Sequence, residues 1–302
     1  MMKVRKLLFV VISLFLLMQQ SVFAEAKQEK ENVKHSASST MKVSFYSEAL
    51  RQNMRMNVYL PPDYEAKEKY PVLYVLHAYK LNEDHWFQAL HITEQADTLI
   101  AAGKIEPMII VAPEIDNSWG MNAADVKKIW LGDPTDPGAW YEGRYEDYIT
   151  QDVVGYIDSH FKSNKSRNSR YIGGTSMGGY AALHIGFRNT QLFSKIGGHA
   201  PAVFQDDMWK PLFDWMYPNE TQRNAKDPLR LAATAKLSQT SVYLDCGDLD
   251  DFKAATGKLN EILSGRKTRE YEFHLIPGGK HDDAYWSGQM ANYLAFYGGI
   301  EK

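Results

Sequence analysis

Three observations in the sequence predict an α/β fold, a mostly parallel central sheet with an antiparallel start and helices on both faces. From Tyr70 to Tyr297, short apolar runs alternate with segments of helical periodicity, the pattern of strands joined by helical crossovers. Tyr70-Pro-Val-Leu-Tyr-Val-Leu-His77 and Met108-Ile-Ile-Val-Ala112 are apolar without alternation, as strands buried on both faces must be. Before them, Met41–Ser47 and Arg55–Leu60 alternate apolar and polar residues, as a pair of antiparallel strands does. The 302 residues are 44% apolar and 24% charged, enough for one sizeable core. A net charge of −3 offers no basic field for nucleic acid.

The chain opens with Lys3, Arg5 and Lys6, an apolar run from Leu7 to Leu17, and small residues around Val22-Phe-Ala24. Residues 1–24 therefore read as a cleaved secretory signal peptide, with an uncleaved anchor as the alternative. This places the protein outside the cytoplasm, with no stable membrane insertion once the signal is removed. Residues 25–40 are polar and charged, a disordered spacer, and residues 41–302 form one domain. The sole cysteine, Cys246, excludes an intramolecular disulfide and lies in an apolar run that suits core packing.

Within the domain, Pro61-Pro-Asp63 ends the opening strand pair, and Tyr70–His77 is the first central strand. A helix is expected over Trp86–Ala102, closed by Gly103, and a buried strand over Met108–Ala112. Residues 113–144 are irregular and rich in Asp, Asn, Gly, Pro and Trp, long enough to suggest a functional loop. Helical periodicity returns at Glu146–Phe161. Arg170–Gly174 is a strand, Ser176–Phe187 a helix and Lys195–His199 a strand. Residues 202–238 read as a small helical insertion. The chain then continues with a strand at Ser241–Asp245, a helix at Ala254–Leu263, a strand at Tyr271–Ile276 and a last helix at Asp283–Tyr297.

Chemistry concentrates at Gly174-Thr-Ser-Met-Gly178. A G-x-S-x-G between strand and helix is a nucleophile elbow: the serine sits in a strained turn, and the flanking glycines let strand and helix approach closely. A serine hydroxyl needs a base in hydrogen-bond reach and an acid to orient that base. In parallel sheets both are sought just beyond strand ends. His281 follows the last strand on a glycine-rich loop and is the candidate base, with His199 second. Beyond Ser241–Asp245, four acids crowd together: Asp245, Asp248, Asp250 and Asp251. Asp250, in the loop past the strand, is the candidate acid, with Asp248 and Asp251 as neighbours that could replace it. The order Ser, Asp, His is that of the α/β hydrolases. The oxyanion hole is expected from the backbone N–H groups of Met177, at a helix start, and Tyr79, after the first central strand. His77, Trp86, His199 and Trp286 are candidate substrate contacts. Glu114, Asp116, Asp133 and Asp136 in the 113–144 loop lack the spacing of a metal site and are expected to be solvated.

Four stretches carry a resemblance to a known family: Tyr70–His77 with Asn82–Trp86, the elbow Tyr171–Ala181, Leu244-Asp-Cys-Gly-Asp-Leu-Asp250, and Gly278-Gly-Lys-His281 with Tyr285-Trp286. Together they resemble the esterase D-like family of α/β hydrolases. It includes S-formylglutathione hydrolases, feruloyl and acetyl-xylan esterases, tributyrin-type carboxylesterases and mycolyltransferases. The resemblance implies an α/β-hydrolase fold, no cofactor, and the roles given above for Ser176, Asp250, His281, Tyr79 and Met177. It departs at Ala78, where many relatives have glycine, at Lys80, and at His199-Ala-Pro201. The expected activity is that of a secreted serine carboxylesterase acting on short-chain acyl or carbohydrate-linked esters. An acyltransferase using the same acyl-enzyme, and a binding protein on an inactive scaffold, are the other readings. Acyl and alcohol specificity and oligomeric state are left open.

Overall fold

The computed structural model describes residues 36–122, 143–206 and 208–300. The expected signal peptide, residues 25–35 of the spacer and residues 123–142 of the irregular loop lie outside the described residues, as do Asp133 and Asp136. Among the described residues no helix is long and apolar enough to cross a membrane.

The first two strands, β1 (Ser39–Ser47) and β2 (Gln52–Leu60), form the expected antiparallel pair. Since β1 starts at Ser39, the last two residues of the expected spacer belong to the sheet. The remaining strands are β3 (Val72–Leu76), β4 (Ile109–Pro113), β5 (Arg170–Ser176), β6 (Lys195–Pro201), β7 (Ser241–Gly247) and β8 (Glu270–Ile276). They complete an eight-stranded sheet of order β1-β2-β4-β3-β5-β6-β7-β8. The β2–β4 pair is antiparallel, and every pair from β4 to β8 is parallel. The chain thus crosses over β3 and returns, which puts β3 and β5 side by side at the centre.

Alternate side chains divide along the sheet, as the two-residue period of a strand requires. Val72, Tyr74, Ile172, Ile196, Val242 and Leu244 face one way. They pack on α2 (Val154–His160), α3 (Met177–Arg188) and α7 (Lys253–Ser264) through Ile157, Leu183 and Leu259. Leu73, Val75, Ile110 and Tyr243 face the other way, against α1 (Ile92–Ala101), α8 (Asp283–Gly288) and α9 (Met290–Gly298). Each such aliphatic side chain withdrawn from water contributes about 1.5–3 kcal/mol.

Three helices differ from their sequence pattern. The helix expected from Trp86 is divided: His85–Ala89 is a π-helical turn, His91 takes a left-handed conformation (φ 54°), and α1 begins only at Ile92. The break lets Trp86 turn inward, where its indole N–H donates to Leu76 O at 2.9 Å. The run into α2 starts at Tyr145 and contains a π-helical stretch, Tyr148–Val153. The last expected helix is broken at Gln289 into α8 and α9.

The insertion between β6 and β7 consists of α4 (Lys210–Met216), α5 (Glu220–Lys226) and α6 (Pro228–Thr234). It is anchored by one stripe of α3. Tyr180, His184 and Arg188 are spaced four apart and so lie on one helix face. The Tyr180 hydroxyl meets that of Tyr217 at 2.6 Å, His184 Nδ1 donates to Lys226 O at 2.7 Å, and Arg188 donates to Ala225 O at 2.6 Å. Glu146 closes this seam, accepting from Arg188 Nε at 3.0 Å and Asn189 Nδ2 at 2.9 Å, with His184 Nε2 at 3.5 Å.

Burial alone would push the Glu146 pKa up, but His184, Arg188 and Asn189 more than offset it and hold the carboxyl at about 2. A carboxylate held below its unfolded value stabilises the fold above that value, and the stabilisation is lost as pH falls through the folded pKa. The advantage of the parent over Glu146→Gln should therefore shrink between about pH 4.5 and about pH 2, by up to about 1.4 kcal/mol per pH unit. Urea unfolding at stepped pH measures it. A difference that stays constant across that window would remove Glu146 as a source of acid sensitivity.

Candidate active site

Strand β5 is buried along its whole length and ends in Ser176, whose backbone is left-handed in φ (φ 54°, ψ −117°). Helix α3 begins at the next residue. Two glycines make the turn passable. A Cβ on Gly174 would stand 2.2 Å from Gly178 O, and one on Gly178 would stand 2.1 Å from Leu76 O. Those obstacles are backbone and cannot swing aside. A non-glycine residue in this conformation costs about 1–3 kcal/mol and persists only where its surroundings over-determine it. Here β3 and β6 flank β5, and Ala202 N–H donates to Ser176 O at 2.9 Å.

His281 stands on the loop after β8, just before Asp282, which caps α8 by accepting from Tyr285 N–H at 2.9 Å. Its Nε2 lies 2.7 Å from Ser176 Oγ, and its Nδ1 lies 2.9 Å from Asp250 Oδ2. The carboxylate can only accept, so Nδ1 carries the proton and Nε2 offers its lone pair to the serine hydroxyl. Asp250 has no exposed side-chain surface, and its other oxygen accepts from Phe252 N–H at 2.8 Å. The imidazole is packed between the Phe252 ring (4.9 Å between centroids) and the edge of Trp286 (5.1 Å, 83°).

The four crowded acids separate by position. Asp250 meets His281. Asp248 joins the two loops, its Oδ1 accepting from Gly278 N–H at 2.7 Å. Asp251 is exposed, and Asp245 is fully buried within β7, accepting from Ala200 N–H at 2.9 Å. Further bonds tie the acid loop to the histidine loop: Leu249 N–H donates to Gly279 O and Asp248 N–H to Ile276 O, both at 3.0 Å.

Met177 is the first residue of α3, so its N–H has no acceptor within its own helix. Tyr79 lies in the loop beyond β3, next to the elbow strand. Lys80 N–H donates to Asn117 Oδ1 at 2.8 Å and Leu81 N–H to Ala78 O at 3.2 Å, which holds this loop in shape. Both candidate oxyanion donors thus sit at the carboxyl ends of paired strands.

The expected substrate contacts are placed differently. His77 is buried, with Nδ1 donating to Ala78 O at 2.9 Å and Nε2 accepting from Ile115 N–H at 3.0 Å beside Glu114. Trp86 is buried against Leu76 O. These two brace the Tyr79 loop from beneath and present no surface to a substrate. His199 is wholly buried, bonded through Nε2 to Tyr297 Oη at 2.9 Å, and burial drives its pKa down to about 3. It is a core histidine, neither base nor substrate contact, because its place in β6 turns it to the sheet face opposite α3. Trp286 reaches the site only by packing on His281.

Three site aromatics were not legible from spacing. Rings succeed one another from Tyr79 to Trp119 (6.1 Å), Phe204 (5.9 Å), Phe252 (5.3 Å) and His281 (4.9 Å). Trp119, Phe204 and Phe252 come from three separate loops, so no sequence period links them. Phe252, two residues after the candidate acid, carried the one usable signal. Among the described residues, no group of three or more His, Cys, Asp or Glu side chains could hold a metal ion. Glu114 lies against His77 and accepts from the Asp116 N–H, and the Asp116 carboxylate accepts from the Tyr145 hydroxyl.

A model of the family described as "Putative esterase" matches residues 47–297. An endo-1,4-beta-xylanase/feruloyl esterase of Xylanibacter ruminicola is 29% identical over 161 residues, which cover 51% of this chain and 20% of that protein; the chain matches about a fifth of that relative's length. A ferulic acid esterase from Anaeromyces mucronatus superposes with a TM-score of 0.66 at 22% identity, covering 88% of this chain and 91% of that one. A fluorophosphonate-binding serine hydrolase of Staphylococcus aureus superposes with a TM-score of 0.67 at 21% identity, covering 87% and 99%. The shared fold is that of the α/β hydrolases.

The elbow geometry makes Gly178→Ala a sharp test. Its Cβ would lie 2.1 Å from a backbone oxygen of the central strand, so the substitution should cost at least about 1–3 kcal/mol and disturb the turn. Thermal unfolding checks it, with Gly257→Ala, where a Cβ meets nothing within 4 Å, as the control. Equal midpoints for the two variants would refute the close approach.

Proposed function

This chain belongs to the "Putative esterase" family, and so to the carboxylic ester hydrolases, and we propose that it is a serine carboxylesterase working through an acyl-enzyme on Ser176. The observation that carries this reading is the unbroken relay from Ser176 Oγ to His281 Nε2 (2.7 Å) and from His281 Nδ1 to Asp250 Oδ2 (2.9 Å). In this reading His281 removes the hydroxyl proton as Ser176 attacks the ester carbonyl, then delivers it to the leaving alcohol. Asp250 fixes the tautomer and stabilises the imidazolium. The N–H groups of Met177 and Tyr79 receive the oxyanion, each worth about 3–4 kcal/mol in the transition state. Water activated by His281 then releases the acid.

We assign the substrate to short-chain acyl or carbohydrate-linked esters. The half-buried rings of Tyr79, Phe204 and Phe252, backed by the buried Trp119, support an apolar or flat acyl group beside the serine, and the relatives named for feruloyl esters support a sugar-linked alcohol. Export through residues 1–24 completes the proposal: esters of extracellular polysaccharide are substrates that a secreted enzyme meets.

Two measurements test it on the full chain. A fluorophosphonate probe should label Ser176 in the parent, and Ser176→Ala should lose both labelling and at least about 10⁴-fold in kcat. Asp250→Asn should leave the serine in place but lower kcat by on the order of 10³–10⁴. Full esterase activity in Ser176→Ala would sink the mechanism. A panel of nitrophenyl esters of increasing chain length, set beside acetylated and feruloylated sugars, reads the acyl preference.

A further inference from the structure

Asp245 is an acid that the proposed mechanism does not use, and its surroundings are unusual. The register between β5 and β6 shifts beside the nucleophile: Thr175 pairs with His199, but Ser176 pairs with Pro201. Ala200 is the extra residue, a β-bulge, and adopts a left-handed conformation (φ 43°) that an alanine does not favour. The bulge turns its N–H away from β5. Asp245 Oδ1, on the neighbouring strand β7, accepts it at 2.9 Å. Immediately beyond, Ala202 N–H donates to the carbonyl of Ser176 at 2.9 Å. Pro201 is also the surface against which the elbow helix is pressed, since a Cβ on Gly179 would lie 3.0 Å from Pro201 Cα. A continuous path therefore runs from the Asp245 carboxyl through the bulge to the backbone of the nucleophile.

We propose that Asp245 is a positioning residue of the active site, its buried carboxyl holding the Ala200 bulge and, through it, the strained turn that presents Ser176. The inference rests on the reading of Ser176 as the nucleophile. What the bulge needs from Asp245 is an acceptor, and a neutral carboxyl supplies one through its carbonyl oxygen. The surroundings favour that form. Around the carboxyl stand Tyr243 of β7, His199 of β6, His274 of β8, Tyr285 of α8, and Tyr293 and Tyr297 of α9. The hydroxyls of Tyr285 and Tyr293 stand close enough to interact with the carboxyl, although neither makes a hydrogen bond of ordinary length and angle to Asp245 Oδ2. Burial raises the Asp245 pKa from 3.8 to about 7. An acid whose folded pKa is raised keeps its proton in the native state while the unfolded chain ionises. It therefore withdraws stability as pH rises from about 4 to about 7, and has no further effect above that.

The test compares Asp245→Ala, Asp245→Asn and the double variant Asp245→Ala/Ala200→Gly in the full chain. Asparagine retains an acceptor at the same position, and glycine accepts a left-handed conformation without help. Asp245→Ala should lower kcat about 10–100-fold with KM little changed, since a small displacement of a reacting group has effects of that size. Fluorophosphonate labelling of Ser176 should slow in parallel. Asp245→Asn should keep kcat within about threefold of the parent, and the double variant should recover most of the loss in Asp245→Ala, both as consequences of restoring the bulge. In unfolding experiments the advantage of Asp245→Asn over the parent should grow from about pH 4 to about pH 7 and then level off. Parental kcat in a folded Asp245→Ala overturns the proposal, as does an Asp245→Asn that is as slow as Asp245→Ala. If Asp245→Ala does not fold, Asp245→Asn decides alone: it must combine parental kcat with the altered pH dependence, and failure of either overturns the proposal. A parent that the probe does not label would instead count against Ser176 as nucleophile.

Discussion

The turn at Ser176 constrains the molecule more than any other feature. A residue with a side chain is held at φ 54° between a strand and a helix, and this conformation survives only because neighbours on both sides leave no alternative. The requirement propagates outward. Gly174 and Gly178 must lack side chains because the helix crosses the strand within van der Waals contact of backbone atoms. Strand β3 must lie directly against β5, which the sheet achieves by sending β4 around to its far side. Strand β6 must break its own register with a bulge so that Pro201 and Ala202 meet the turn. The fold around the elbow can be understood as a set of braces for one strained residue.

The second and third members of the relay are set by a different device. The acid loop after β7 and the histidine loop after β8 leave adjacent parallel strands and are fastened by backbone bonds at 3.0 Å and by Asp248 to Gly278 N–H at 2.7 Å. Packing them face to face requires another close backbone approach, since a Cβ on Gly247 would stand 2.1 Å from Gly279 O. Joined in this way, the loops hold Asp250 and His281 in their 2.9 Å contact without relying on long flexible side chains. The insertion α4–α6 is positioned by a third device, the polar stripe of α3. The helix that starts at the elbow thereby also sets where the insertion stands. At the elbow and between the two loops most of the geometry is carried by backbone contacts, which limits the entropy lost in holding it, whereas the insertion is held by side chains of α3 donating to backbone carbonyls.

The elbow, the order of serine, acid and histidine, the parallel sheet and the existence of a helical insertion were all legible in the amino-acid sequence, because each depends on local chemistry. Glycines mark a turn that nothing else can enter, unbroken apolar runs mark strands covered on both sides, and alternating strand and helix patterns imply parallel crossovers. The roles of His77, Trp86 and His199 were not legible. Their position at strand ends was visible, but whether a side chain there faces substrate or core depends on strand register and on what packs beneath, which are tertiary facts. His199 faces Tyr293 and Tyr297 from a helix about a hundred residues further along the chain. The breaks at His91 and Gln289 were hidden for a similar reason. The local pattern favours continuous helices there, and the interior position of Trp86 overrides it at the first.

The sequence by itself determined which groups could do chemistry: a serine in a turn that only flanking glycines permit, a histidine and an acid beyond strand ends, and backbone donors at a helix start. Only the tertiary structure decided which of four neighbouring acids meets the histidine, because Asp245, Asp248, Asp250 and Asp251 are equivalent as carboxylates and differ only in where β7 and its loop point them. It also decided that the buried acid Asp245 turns to the bulge beside Ser176, and that aromatic rings from three loops form one series ending at His281. Local propensity acts over a few residues, whereas these contacts join segments tens to more than a hundred residues apart, and only the packed sheet brings them within hydrogen-bonding or ring-contact distance.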